Sequence, residues 1–259
     1  MSFVQTIFLG AIAGFTIYLG LPLGRIKKIS TGTRTFLSMT SAGILLFILF
    51  DVLSNLSEPI KSSITENKNF PEFFILLGVF VIGFGLGLLG LIAFDQRFMR
   101  AQAGSNKLVD PTRLALMIAT GIGLHNFSEG LAIGQSAGRG EIGFAALLII
   151  GFGLHNATEG FGIVGPLVGE NRPSWGFIGL AGLIGGGPTF LGTIVGYFFL
   201  SDAMFVLFLS LAAGALVYII GELFNLNRRP ETKFPAGWGI FIGFLIGYFT
   251  DLILTIAGV

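Results

Sequence analysis

The chain has 259 residues, of which 53% are hydrophobic and only 11% charged, with a formal net charge of +1 and a mean hydropathy of +0.85. Soluble domains carry roughly a quarter charged residues, so a water-covered surface is excluded and a membrane protein is expected. The near-neutral charge gives no footprint for nucleic acid, and the absence of cysteine excludes disulfides, thiolate metal sites and cysteine nucleophiles.

The sequence opens on Met-Ser-Phe-Val-Gln-Thr-Ile-Phe-Leu-Gly without a basic start, which reads as a first spanning helix rather than a cleaved signal peptide. A spanning helix needs about 20 mostly apolar residues. Eight stretches qualify: 3–24, 35–56, 72–94, 112–137, 142–169, 175–199, 203–224 and 238–258. The connectors are short and polar, so residues 1–259 read as one all-α, polytopic membrane domain with no soluble module. The 40 glycines suit close helix packing in lipid, and the 28 phenylalanines suit a lipid-facing surface.

Lysine and arginine set the orientation. Alternate connectors hold Arg25, Lys27, Lys28, Arg34, Arg97, Arg100, Lys107, Arg113, Arg172, Arg228, Arg229 and Lys233, whereas the others hold only Lys61, Lys68 and Arg139. The basic set is expected in the cytoplasm, which puts both termini outside.

Two stretches repeat each other 30 residues apart: Gly-Ile-Gly-Leu-His-Asn-Phe-Ser-Glu-Gly (121–130) and Gly-Phe-Gly-Leu-His-Asn-Ala-Thr-Glu-Gly (151–160). They hold both histidines of the chain, His125 and His155, each followed four residues later by a glutamate, Glu129 and Glu159. Residues i and i+4 share one helix face, so a histidine nitrogen and a carboxylate oxygen can meet one cation. Asn126 and Asn156 can add carbonyl oxygens from the flank. Each histidine lies about 13 residues into its helix, or about 20 Å along it, which is near the middle of a hydrocarbon core of about 30 Å. Two antiparallel neighbours then present one cluster at one depth. Nitrogen and oxygen ligands without sulfur suit zinc first, with iron, manganese or cadmium as alternatives. A lone polar residue in such a helix can simply bond a neighbour. Two copies that hold every histidine point to a metal, because charge at the bilayer centre is costly and usually functional.

HNFSEGLAIG (125–134) and HNATEGFGIV (155–164) resemble the paired signatures on the fourth and fifth helices of the ZIP family, the zinc- and iron-regulated transporter-like permeases. The specific motifs cover residues 121–165, whereas the eight-helix topology with both termini outside matches over the whole chain. The resemblance implies a transport metal between helices four and five, held by His125, Asn126, Glu129, His155, Asn156 and Glu159. It also implies a homodimer, which the glycine-rich helix faces permit. Many members add a glutamate just before a proline in the sixth helix. Here Gly187 precedes Pro188, so one well-held ion, or a weak second one, is expected. The connector 95–113 lacks the histidine cluster of many eukaryotic members.

Three further carboxylates mark a candidate path: Asp51 and Asp251 in the outer third of the second and eighth helices, and Glu222 near the cytoplasmic end of the seventh. Gly185 to Gly187 with Pro188 predict a break in the sixth helix, and Pro166 one near the end of the fifth. Gly121, Gly123, Gly151 and Gly153 are expected to let helices four and five approach each other. The function expected is passage of a divalent cation into the cytoplasm, across a cell membrane and without enzymatic chemistry. The alternatives are an intramembrane zinc metalloenzyme on the same ligands, against which the absence of a His-Glu-x-x-His pattern counts, and a passive pore.

Overall fold

The structure is a computed structural model that describes residues 2–27, 29–100, 110–138, 140, 142–169, 172–199, 201–227 and 230–257. Lys28, Lys107, Arg139, Arg228 and Arg229 of the orientation argument, and residues 101–109 of the 95–113 connector, lie outside the described residues. In lipid every backbone N–H and C=O has to be bonded within the protein, and a helix does this within one segment. The described residues accordingly form helices and no strand. Eight α-helices follow one another: α1 (Phe3–Phe15), α2 (Thr31–Thr65), α3 (Phe70–Phe94), α4 (Pro111–Gly138), α5 (Ile142–Val164), α6 (Trp175–Phe198), α7 (Asp202–Leu226) and α8 (Lys233–Ala257). Polar connector residues fix where they begin. Ser2, Ser30, Asn69, Ser174 and Ser201 each accept a hydrogen bond from the backbone N–H three residues on.

By length and composition, six stretches among the described residues can cross a membrane: Phe3–Arg25, Thr31–Thr65, Phe70–Arg97, Trp175–Phe198, Asp202–Asn225 and Pro230–Leu252. α4 and α5 stand among them. α4 is buried along most of its length, so its polar residues face protein and not lipid.

Several boundaries differ from those expected. The first stretch is α-helical only to Phe15 and continues as 3-10 turns over Thr16–Leu19 and Leu21–Arg25. Pro22 has no N–H to give, and at Gly20 a Cβ would stand 2.4 Å from the Ala157 carbonyl oxygen of α5. These turns are tied to the start of α6. Tyr18 donates to the Gly179 carbonyl (2.7 Å), and Arg25 donates to the Pro173 carbonyl while its guanidinium lies 4.2 Å from the centre of the Trp175 ring. α2 runs to Thr65 and absorbs most of the connector read from residue 57. The hydroxyls of Ser57, Ser63 and Thr65 donate to carbonyls of the helix itself, which lets a polar stretch remain helical. Asp51 is therefore well inside α2 and not near its end. α8 begins five residues earlier than expected. α5 does stop at Val164, just before the 3-10 turn Gly165–Leu167 that holds Pro166.

The expected break in α6 is not seen. The helix is continuous through Pro188, because its neighbour takes up the disturbance. A Cβ on Gly123 of α4 would stand 2.3 Å from the carbonyl oxygen of Ile184, the one Pro188 leaves without an N–H. The next carbonyl, of Gly185, accepts a hydrogen bond from Asn126. Gly121 and Gly153 also serve other partners than expected. Gly121 faces Ile219 of α7, and Gly153 faces Ala13 and Thr16 on the α1 side. The backbone of Gly151 lies in α5.

The helices pack as two groups. α1, α4, α5 and α6 form one, and α2, α3, α7 and α8 the other, joined chiefly through α4–α7, α5–α8 and α2–α5. Exchanging α1 with α6, α2 with α7, α3 with α8 and α4 with α5 maps much of this pairing onto itself, with α2–α8 becoming α7–α3 and α4–α7 becoming α5–α2, but α5–α8 has no comparable counterpart between α4 and α3. Inside each group the tightest approaches run backbone to backbone. Cβ atoms on Gly130 and Gly192 would stand 2.1 Å from the carbonyl oxygens of Thr189 and Phe127, across the α4–α6 seam. Between the groups, Gly121 and Gly162 meet side chains instead, Ile219 and Leu45 among them. α3 and α8 lie outermost and present Phe74, Val81, Leu86, Trp238, Phe241 and Phe249 outward.

These seams give a direct check. Gly192→Ala is expected to destabilise the purified protein by about 1–3 kcal/mol through overpacking. Gly179→Ala, on the same helix with nothing within 4 Å of its Cβ position, is expected to leave the thermal midpoint in detergent unchanged.

Candidate metal centre

α4 and α5 run antiparallel after the turn at Gly140, so the two motif copies meet at one level. The four-residue spacing puts each histidine over its own glutamate. His125 Nε2 lies 3.5 Å from Glu129 Oε1, and His155 Nε2 lies 3.5 Å from Glu159 Oε1. The tertiary structure adds a cross-contact, with His125 Nε2 also 3.9 Å from Glu159 Oε1. The imidazole rings are 5.9 Å apart. Ligand atoms of His125, Glu129 and His155 all lie within 4.8 Å of one another, and all three residues are buried. Glu159 is 0% exposed.

These groups are short of protein partners. Both ring nitrogens of His125, Nε2 of His155 and both carboxylate oxygens of Glu159 have no hydrogen bond among the described residues. Leaving such atoms buried and unpaired costs about 1–3 kcal/mol each, more where charge is involved. A divalent cation between the nitrogens and the carboxylates would satisfy them together, and this donor set fits zinc.

The asparagines are placed differently. Asn126 donates through Nδ2 to Asn156 Oδ1 (2.5 Å) and to the Gly185 carbonyl of α6 (3.0 Å). Asn156 donates through Nδ2 to the Ala13 carbonyl of α1 (3.2 Å) and to Glu129 Oε2 (3.3 Å). The pair thus ties all four helices of its group at the level of the cluster. The carbonyl oxygen of Asn156 is engaged by Asn126, whereas that of Asn126 has no hydrogen bond.

A cavity of about 290 Å3 reaches the cluster from one side. Along α4 it is lined by His125, Ser128, Glu129 and Ala132, and along antiparallel α5 by His155, Phe152 and Leu148. Asp51 and Asn55 of α2, Phe205 and Leu209 of α7, and Asp251 of α8 complete the wall. Asn55 donates to Asp51 Oδ1 at 2.9 Å. In the opposite direction Ile118 and Ile122 of α4, Ile163 of α5, Leu45 of α2 and Ile219 of α7 are fully buried in the main apolar core. Glu222 is half-buried near the far end of α7 from Phe205, and it does not line the cavity.

No family model matches the chain. Whole-length relatives do. It is 31% identical over 272 residues to the zinc transporter ZupT of Shigella dysenteriae serotype 1 (strain Sd197), covering 98% of each chain. It is also 31% identical over 270 residues to ZupT of Escherichia coli O7:K1 (strain IAI39 / ExPEC), again 98% of each. The same identity holds over 271 residues of ZupT from Enterobacter sp. (strain 638), covering 97% of this chain and 98% of that one. The chain belongs to the ZIP family of metal transporters. It is therefore a multi-pass inner-membrane transporter and not the metalloenzyme that the same ligands could have built.

Within a ZIP protein the sixth-helix position before the proline is of interest. At Gly187 a Cβ would meet only Leu183 of its own helix, so this position adds nothing to the cluster. Sequence reasoning missed two polar cavity residues. Asn55 follows Asp51 at helical spacing, which was a readable signal. Ser128 stood inside the motif without an assigned role.

The asparagine tie is testable without metal. Asn156→Ala is expected to lower the stability of the metal-free protein by about 1–3 kcal/mol, because the Asn126 amide and the Ala13 carbonyl both lose a partner in a dry setting. A thermal midpoint equal to that of the wild type would show that the tie does not hold these helices together.

Proposed function

We propose that this protein carries a divalent cation, zinc first, into the cytoplasm through His125, Glu129, His155 and Glu159, with Asn126 and Asn156 beside them. The observation that carries the reading is the convergence of nitrogen and carboxylate atoms without protein partners at the end of a cavity. The names of the ZupT relatives support zinc as the cargo. The reading takes the six apolar stretches together with α4 and α5 as eight spans, with both termini outside. The lysine and arginine asymmetry then places the Asp51 and Asp251 side of the cavity outside and Glu222 inside.

On this reading the cavity is the outer vestibule. A hydrated cation is drawn in by Asp51 and Asp251 and sheds water as the histidines and glutamates replace it. Leu45, Ile118, Ile122 and Ile219 seal the inner side. Passage requires that seal to open, and the two helix groups offer a route. Their backbone seams are internal, whereas the contacts between them are made by side chains, so the groups can shift against each other without breaking the glycine packing. Glu222 then receives the ion on the cytoplasmic side. With Gly187 away from the cluster, one ion per site is the expected load. A passive pore of the same residues would lack the inner seal.

Reconstitution in liposomes with an enclosed zinc indicator tests this. Saturable zinc influx is expected in the wild type and is expected to be lost in a His125→Ala/His155→Ala double variant. Binding of zinc without any influx would sink the transport reading. Zinc binding should also weaken as pH falls from about 8 to about 5, because histidine ligates only when neutral and glutamate only when ionised. Affinity that stayed flat across that window would remove these side chains from the site.

A further inference from the structure

Hydroxyls inside the helices of this chain are mostly returned to their own backbone. Ser57 donates to the Leu53 carbonyl (2.6 Å), Ser63 to Ile60 (2.7 Å) and Ser210 to Val206 (2.5 Å). That is the usual outlet for a serine in a dry helix. The two motif copies differ on this point. Thr158, between His155 and Glu159, donates to the His155 carbonyl at 2.7 Å. Ser128 holds the same place between His125 and Glu129, is 1% exposed, and its Oγ has no hydrogen-bond partner among the described residues. Thr189 is also buried and unpartnered, but it is packed against α1, where a Cβ on Gly14 would stand 2.8 Å from it, and it borders no part of the cavity. Ser128 does line the cavity, in the same wall as Asp51, His125 and Glu129.

A buried hydroxyl with no bond is unfavourable unless something in the cavity uses its lone pairs. We propose that Ser128 is a further contact of the cation, offering Oγ to the ion as it passes from the Asp51 end of the cavity into the His125 and Glu129 pair. The proposal rests on the reading of that cluster as a cation site. It gives the fourth helix an oxygen that the fifth lacks, since Thr158 donates to the backbone of its own helix and does not line the cavity. The two motif copies are then unequal, with the α4 copy on the approach route.

The chain contains no cysteine, so Ser128→Cys introduces a single thiol into the full-length protein. A small methanethiosulfonate reagent is expected to modify that thiol in the purified variant, and zinc is expected to slow the modification about tenfold or more. Because a thiolate is a softer ligand, the same variant should favour cadmium over manganese about tenfold more than the wild type does. Ser128→Ala, which removes one oxygen, should raise the zinc concentration for half-maximal influx about tenfold. A thiol that is not modified, or is modified at the same rate with zinc present, overturns the contact if the wild type binds zinc in the same preparation. An unchanged half-maximal concentration in Ser128→Ala overturns it as well. If the wild type binds no zinc, the cluster reading falls first, and Ser128 with it.

Discussion

The structure depends on the cost of burying two histidines and two glutamates that the protein bonds only in part. Nothing in the apolar composition calls for such residues, and a helix bundle would be more stable with leucine there. α4 and α5 bring them to one point, where on the proposed function a cation would satisfy what the protein leaves open. The surrounding architecture follows from keeping that point dry, accessible from one side and fixed in geometry.

Fixing it is the work of glycine and asparagine. Glycines on α4 and α6 let the two backbones touch, so α4 cannot rotate and its histidine cannot turn away. The Asn126–Asn156 pair extends this to α1 and α5, through the carbonyls of Gly185 and Ala13. The asparagines therefore hold in place the helices that carry the histidines and glutamates. The amide nitrogens hold the helices, and the Asn126 oxygen is the atom that the proposed function would give to the ion.

Access is set by a contrast along the same helices. On one side of His125, α4 carries Ser128, Glu129 and Ala132 into a cavity with two aspartates on its wall. On the other side it carries Ile118 and Ile122 into closed packing. Because α5 is antiparallel, Phe152 and Ile163 repeat that division. One end of the site is therefore polar and open and the other apolar and sealed, which is the asymmetry a carrier needs and a continuous pore lacks.

The sequence by itself determined the all-helical membrane class, the order of the helices and the pairing of the two His-x-x-x-Glu copies. These follow from local properties: runs of apolar residues, polar caps, and a spacing of four that puts two side chains on one helix face. Only the tertiary structure decided how Glu159 reaches His125, which partners Gly121, Gly123 and Gly153 admit, and why α6 passes through Pro188 unbroken. It also separated Ser128 from Thr158, which look equivalent in the motif. Such features depend on which backbone lies across the seam and which side of a helix meets the cavity, and residues far apart in the chain determine both.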